Sequence, residues 1–172
     1  MTSRDKTRKQ RYNEKKKIAK YLPVSFCTVN FMFDENVAYL TRAAACFGIK
    51  NIYVIGSLPD HDTLRSHSGS TQELVSFKTF KNPSEFLAFA REQGFNIVSA
   101  EITDRSVSLN DYQFDLEKET IIVLGHETLG VPSDILAHSD HVMIPMNGPG
   151  FCLNTSFAGT VIAYEVAKRF LG

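Results

Sequence analysis

Only three cysteines occur in the 172 residues, and no long apolar run does. No window approaches the roughly 18 consecutive apolar residues that a membrane-spanning helix needs, so the sequence predicts no crossing of a bilayer. The first twenty residues are too charged to hold the apolar core of a secretory signal. Export is therefore not expected, the cytoplasm is the expected compartment, and the thiols are expected to stay reduced. Metal-ligand spacing is missing as well: His138 and His141 are close, but no cysteine or second carboxylate pair stands at ligand distance, so no metal is expected. Internal repeats are absent, and the one biased tract is the charged N-terminal stretch.

Net charge is also absent, at +0 overall, but that mean hides an asymmetry. Residues 1–20 carry nine Lys/Arg against Asp5 and Glu14, which leaves the rest of the chain acidic. A stretch such as "RDKTRKQRYNEKKK" reads either as a solvated arm or as an arm for phosphates, because clustered Lys/Arg release counterions from nucleic acid without reading its sequence. The chain is 43% hydrophobic overall and long enough to bury one core. The expected organisation is a basic arm over 1–20 and one domain over 21–172.

After Pro23, short β-branched and aromatic runs alternate with helical spacing, which predicts an alternating α/β domain. "VSFCTVNFMF" (24–33) reads as the first strand. "ENVAYLTRAAACFG" follows with Val37, Leu40, Ala44 and Phe47 on one helical face and Gly48 at the helix end. "IKNIYVIG", "LVSFKTF", "FNIVSAEI", "TIIVLG" and "HVMIPM" read as further strands. Asn82-Pro83-Ser84 starts a helix reaching about Gln93, "VPSDILAHS" gives a short one, and 152–170 a long closing one. Residues 57–72 read as a loop, and 103–118 fit no single element.

Functional loops of parallel sheets lie at strand C-terminal ends. Three stand out: "LGHETLGVP", "IPMNGPGFCLN" and the start of the first helix with Asn36 and Arg42. The Gly125/Gly130 loop lacks the lysine and hydroxyl of a phosphate-binding P-loop and is not G-x-G-x-x-G, so it reads as a sharp turn or a weak cradle. Glu127 between those glycines is costly to desolvate unless paired. Cys27 and Cys46 read as core residues, whereas Cys152 at the mouth of the last helix is also open to a nucleophilic reading.

Taken together, "ENVAYLTRAAACFGIKNIYVIG", "IIVLGHETLGVP" and "IPMNGPGFCLNTSFAGTVIAYEV" resemble the three ordered motifs of the SPOUT superfamily, in its SpoU/TrmH branch of RNA ribose 2′-O-methyltransferases. The resemblance covers about residues 24–170. It implies an α/β fold with an open, mostly parallel sheet, helices on both faces and a C-terminal deep trefoil knot, a rare exception to the rule against threading, and S-adenosylmethionine as cofactor bound in that knot. By motif position it implies Asn36, Arg42, Glu127 and Asn154 as the catalytic set, with Ser156 completing the L-N-x-S pattern. It implies Ala100, Glu101, Leu124, Gly125, Ile144, Met146, Cys152 and Leu153 around the cofactor, with Cys152 replacing the family's usual serine. Glu127 is expected to orient the Arg42 guanidinium. The partners implied are RNA, with tRNA expected ahead of rRNA for so small a chain, and a second copy in a homodimer. Phe157, Val161 and Tyr164 fit that interface by spacing, though they equally fit ordinary core. A catalytically inactive RNA-binding protein of the same fold and a base methyltransferase are the alternative readings.

Overall fold

The computed structural model describes residues 7–115 and 117–171, so the first six residues of the expected arm lie outside the described residues. Seven strands form one sheet: β1 (Val24–Val29), β2 (Asn51–Ile55), β3 (Ser76–Phe80), β4 (Asn96–Ala100), β5 (Val107–Ser108), β6 (Thr120–Leu124) and β7 (Asp140–Met143). Their order is β3-β2-β1-β6-β4-β7-β5, and every pairing is parallel. Every residue of the adjacent β1 and β6 is buried, which is why β6 reads as a near-continuous apolar run, while β1 buries Ser25 and Thr28 among its apolar residues.

Strand parity divides the core in two. Phe26, Ile52, Val54, Ile122 and Leu124 point to one face, where they meet Leu40 and Ala44 of α2 (Asp34–Phe47) and Ile162 and Val166 of α6 (Thr155–Leu171). Cys27, Tyr53, Ile55, Ile121 and Val123 point to the other, against Phe86 and Ala90 of α4 (Pro83–Gln93) and Ile135 of α5 (Ser133–Leu136). On the first face α6 approaches closely because residue 159 is glycine. A Cβ there would stand 2.6 Å from Leu40 Cδ1 and 2.7 Å from Leu124 Cδ1. Arg169 then ties the end of α6 to the connection before β6, donating to the Leu109 carbonyl at 2.6 Å and the Asn110 carbonyl at 3.0 Å.

Several elements differ from the sequence reading. β1 stops at Val29, because Asn30, whose amide makes the last bond of the ladder to the Ile55 carbonyl, turns into the left-handed region at φ 45°. Residues 57–72 are not all loop: α3 (His61–Ser68) is capped by Asp60, whose side chain accepts from the Thr63 amide, and closed by Gly69 at φ 66°. Leu64 is its one buried apolar side chain, too little to leave a helical period in the sequence. The ambiguous 103–118 segment contributes β5 at the sheet edge. β7 ends at Met143, before Pro145. The closing helix begins at Thr155, three residues later than read, because Asn154 is occupied in capping it. Cys46 is exposed and so is not core, unlike Cys27, whose thiol burial pushes up in pKa.

The arm carries a helix of its own, α1 (Arg8–Lys17), started by a capping box between Thr7 and Gln10. Residues 10–17 are all exposed, and the helix has no apolar stripe. Among the described residues, no helix is long and apolar enough to cross a membrane.

Candidate functional site

The loops after β4, β6 and β7 converge with the start of α6 around one cavity of about 460 Å³. The loop after β6 folds back on itself: the His126 amide bonds to the Gly130 carbonyl at 3.1 Å, and the Gly130 amide to the His126 carbonyl at 2.9 Å. This brings backbone onto backbone at Gly125, where a Cβ would lie 2.3 Å from the Gly130 carbonyl carbon. No other residue type fits there without moving the chain. Glu101, just past β4, fixes the far side of the loop by accepting from the Val131 amide at 2.9 Å. The Thr155 hydroxyl closes the ring by donating to the Gly125 carbonyl at 3.3 Å.

The folded-back loop aims Glu127 at the N-terminus of α2. Its Oε2 accepts from the Met32 amide at 2.8 Å, and its Oε1 from the Phe33 amide at 3.4 Å and from Asn36 Nδ2 at 2.7 Å. Partial burial opposes ionisation, but the bonds from Met32, Asn36 and Phe33 outweigh it and hold the carboxyl below its ordinary range. Asn36 is only 5% exposed, and both ends of its amide are used, since its Oδ1 accepts from Asn154 Nδ2 at 3.1 Å. Asn154 in turn caps α6, with Oδ1 accepting from the Ser156 amide at 2.9 Å and the Ser156 hydroxyl at 2.7 Å. One polar chain thus runs from the α6 terminus through two asparagines to a carboxylate. Every donor in it points toward the negative end.

All eight residues expected around a cofactor line the cavity: Ala100, Glu101, Leu124, Gly125, Ile144, Met146, Cys152 and Leu153. Glu127 and Asn154 line it too, whereas Asn36 stands behind them and Arg42 lies elsewhere. The expected pairing of Glu127 with Arg42 is not formed among the described residues; Asn36 takes the carboxylate instead. The geometry of α2 explains this, because six residues at about 100° each put Arg42 roughly 120° around the helix from Asn36. Arg42 is exposed and lies beside Gly69 at the end of α3. Phe157, Val161 and Tyr164 are exposed at 59%, 38% and 57%, so they are not core of their own chain.

With this geometry in view, the model of the SpoU rRNA Methylase family matches residues 23–164. The chain belongs to the SpoU methylase family. It is similar to the tRNA (guanosine(18)-2′-O)-methyltransferase of Escherichia coli K12, at 27% identity over 147 residues, which is 85% of this chain and 63% of that protein. It is also similar to the 23S rRNA (uridine(2479)-2′-O)-methyltransferase of Streptomyces viridochromogenes, at 28% identity over 86% of this chain and 55% of the other. The SpoU methyltransferase AviRb of the same organism, solved with the cofactor AdoMet, superposes with a TM-score of 0.75 over 91% of this chain and 64% of that one, at 21% identity. The SpoU-family chain here therefore spans less than two thirds of the length of these relatives.

Some parts of this SpoU-type site carry no mark in the sequence reading. Met32 and Phe33 read as strand, yet their amides are two of the three donors on Glu127. Backbone donors have no residue type to betray them. Thr155 and Gly130 do leave a signal: a hydroxyl next to the capping Asn154, and a glycine where a loop must reverse at φ 68°.

Proposed function

We propose that this chain transfers a methyl group from S-adenosylmethionine to a ribose 2′-hydroxyl of RNA. The observation that carries the reading is the single cavity on which all eight expected cofactor residues, Glu127 and Asn154 converge. Its volume of about 460 Å³ falls within the roughly 300–1,000 Å³ of small-molecule sites. The cavity suits the cofactor chemically. Leu124, Ile144 and Leu153 offer apolar contact for an adenine, Ala100 and Gly125 leave room for it, and the carboxylates of Glu101 and Glu127 complement a positively charged ligand. When bound, S-adenosylmethionine supplies a methyl group on a positively charged sulfur.

The acceptor hydroxyl must be held in line with that methyl, so positioning is most of the task. Arg42 cannot serve as a simple base, because a guanidinium stays protonated at any working pH. Its role here is a clamp: the charged fork grips a neighbouring phosphate and fixes the ribose, and an oxygen of that phosphate takes the proton. Asn36 and Glu127 hold the start of α2 and the cavity wall in register, and Asn154 keeps α6 at the cavity edge. Since Arg42 lies off its own chain's cavity, a second copy completes the site, docking through the exposed Phe157, Val161 and Tyr164 of α6. The convergence of the β4, β6 and β7 loops under α6 supports the knotted path expected of the family. The basic arm with α1 adds phosphate contacts. The substrate is tRNA ahead of rRNA, and the compartment is the cytoplasm.

The test is mass mapping of 2′-O-methyl nucleotides in RNA incubated with protein and cofactor. Wild type should yield them, and Arg42→Ala should lose at least about 10²-fold in kcat. Methylation of a base alone, or full activity in Arg42→Ala, contradicts the proposal.

A further inference from the structure

Away from the cavity, α2 and α3 lie side by side, and the surface they share carries Arg42 and Arg65 together with Asp62. Tyr39 meets His67 edge to face with ring centroids 5.8 Å apart. One helical step further along α2, Arg42 meets Gly69. A Cβ on Gly69 would stand 3.5 Å from Arg42 Cζ, 3.5 Å from Nη1 and 3.8 Å from Nε. Near-equal distances to three guanidinium atoms place the face of the group over the side of Gly69 that a side chain would otherwise fill. Its N–H donors point in the plane of the group, and Arg42 is exposed, so the donor edge is open to solvent. The C-terminal carbonyls of α3 favour a cation at this place.

Arg65 stands one turn before Gly69 on the same side of α3, and its carbonyl accepts from the Gly69 and Ser70 amides. Asp62, Arg65, Ser66, Gly69 and Ser70 line a shallow concavity of about 520 Å³. Gly69 and Ser70 are consecutive left-handed residues, at φ 66° and 64°, so the chain turns sharply outward between the two arginines. Among the described residues, neither Arg42 nor Arg65 forms an ion pair. Two guanidiniums without an ion pair, on either side of one exposed turn, match a chain of spaced negative charges better than any single anion.

We infer that Arg65 and the Gly69-Ser70 turn form a phosphate-binding track for RNA that continues from Arg42. This rests on the reading of RNA as substrate and extends it to a binding site outside the reacting centre. Arg65 grips a phosphate near the one held by Arg42, and the Ser70 hydroxyl, which has no partner among the described residues, donates to the same strand. Arg65 is a binding residue with no part in the transfer itself.

The test uses the full chain and bulk Escherichia coli tRNA. Arg65→Gln should raise KM for tRNA roughly tenfold while kcat at saturating tRNA stays within about twofold, a difference that loss of one charge-assisted bond accounts for. In direct binding titrations across salt, the slope of log K against log salt should fall by about 0.7 to 0.9, the share of a single neutralised phosphate. Asp62→Asn, which removes the nearest carboxylate, should tighten binding. Melting temperatures of both variants should match wild type. An unchanged slope and KM in Arg65→Gln, or no binding of tRNA by wild type at about 50 mM salt, overturns the track. Binding is measured apart from methyl transfer, so tRNA affinity that depends on Arg65 in a protein making no 2′-O-methyl product would retain the track and remove the enzymatic reading.

Discussion

The two faces of the sheet are built on different principles. Against α4 and α5 the packing is aromatic: Tyr53, Phe80, Phe86, Phe89 and Phe95 make a continuous set of ring contacts, with centroids 5.2 to 6.5 Å apart. Against α2 and α6 the packing uses a glycine at 159 and small side chains at Ala44, Ala163 and Ala167, and it ends in the polar chain of Asn154, Asn36 and Glu127. Aromatic rings give one face burial without demanding exact polar geometry. The other face gives up volume so that α6 can come close enough to set two asparagines and a carboxylate in line. Both faces bury a core, but only the α2/α6 face runs on into the polar chain at the cavity.

Removing a ring should break the first face and leave the second legible. Phe86 is fully buried, and Phe86→Ala should cost about 3–5 kcal/mol. For a domain of this size that lowers the melting temperature by roughly 6–20 °C. Calorimetric melting measures the loss, and molecules still folded below the transition should keep the affinity of wild type for S-adenosylmethionine. An equal fall in affinity would mean that the two faces are not separable.

Changing the polar chain sharpens the comparison with a smaller effect. Glu127→Gln keeps the shape and removes the charge that three donors converge on, so it should cost about 1–2 kcal/mol near neutral pH. The sign with pH follows from the lowered pKa of Glu127 in the fold. The contribution is fully present above the unfolded value of about 4.3 and fades as pH falls through the lower folded value. Urea melts of wild type and Glu127→Gln should therefore differ by a constant amount above about pH 5 and converge in stronger acid. A difference that stayed constant into acid would show that the carboxylate charge contributes nothing.

Much of this is legible in the sequence alone. The buried strand β6 stands out by its apolar run, and the motif positions name eight residues that all prove to line the cavity. What stays hidden depends on distance in the chain or on backbone. Glu127 and Asn36 meet across 91 residues, and no spacing rule within one motif predicts that partner. α3 leaves little trace because Leu64 alone marks its buried apolar side. That Arg42 lies off its own chain's cavity, at the end of α3, follows from the rotation along α2 and leaves no mark in the motif. The start of α6 is hard to place because a capping asparagine looks like helix until its side chain is seen to bond the Ser156 amide.

The cavity at the start of α6 is the proposed binding place of S-adenosylmethionine. Leu153 lines it and is 40% exposed, so Leu153→Glu alters the wall with little cost to the fold. Titration calorimetry should give saturable heat with S-adenosylmethionine for wild type and an affinity weakened at least about tenfold for Leu153→Glu. No saturable heat in wild type, or equal affinity in the variant, would contradict the assignment.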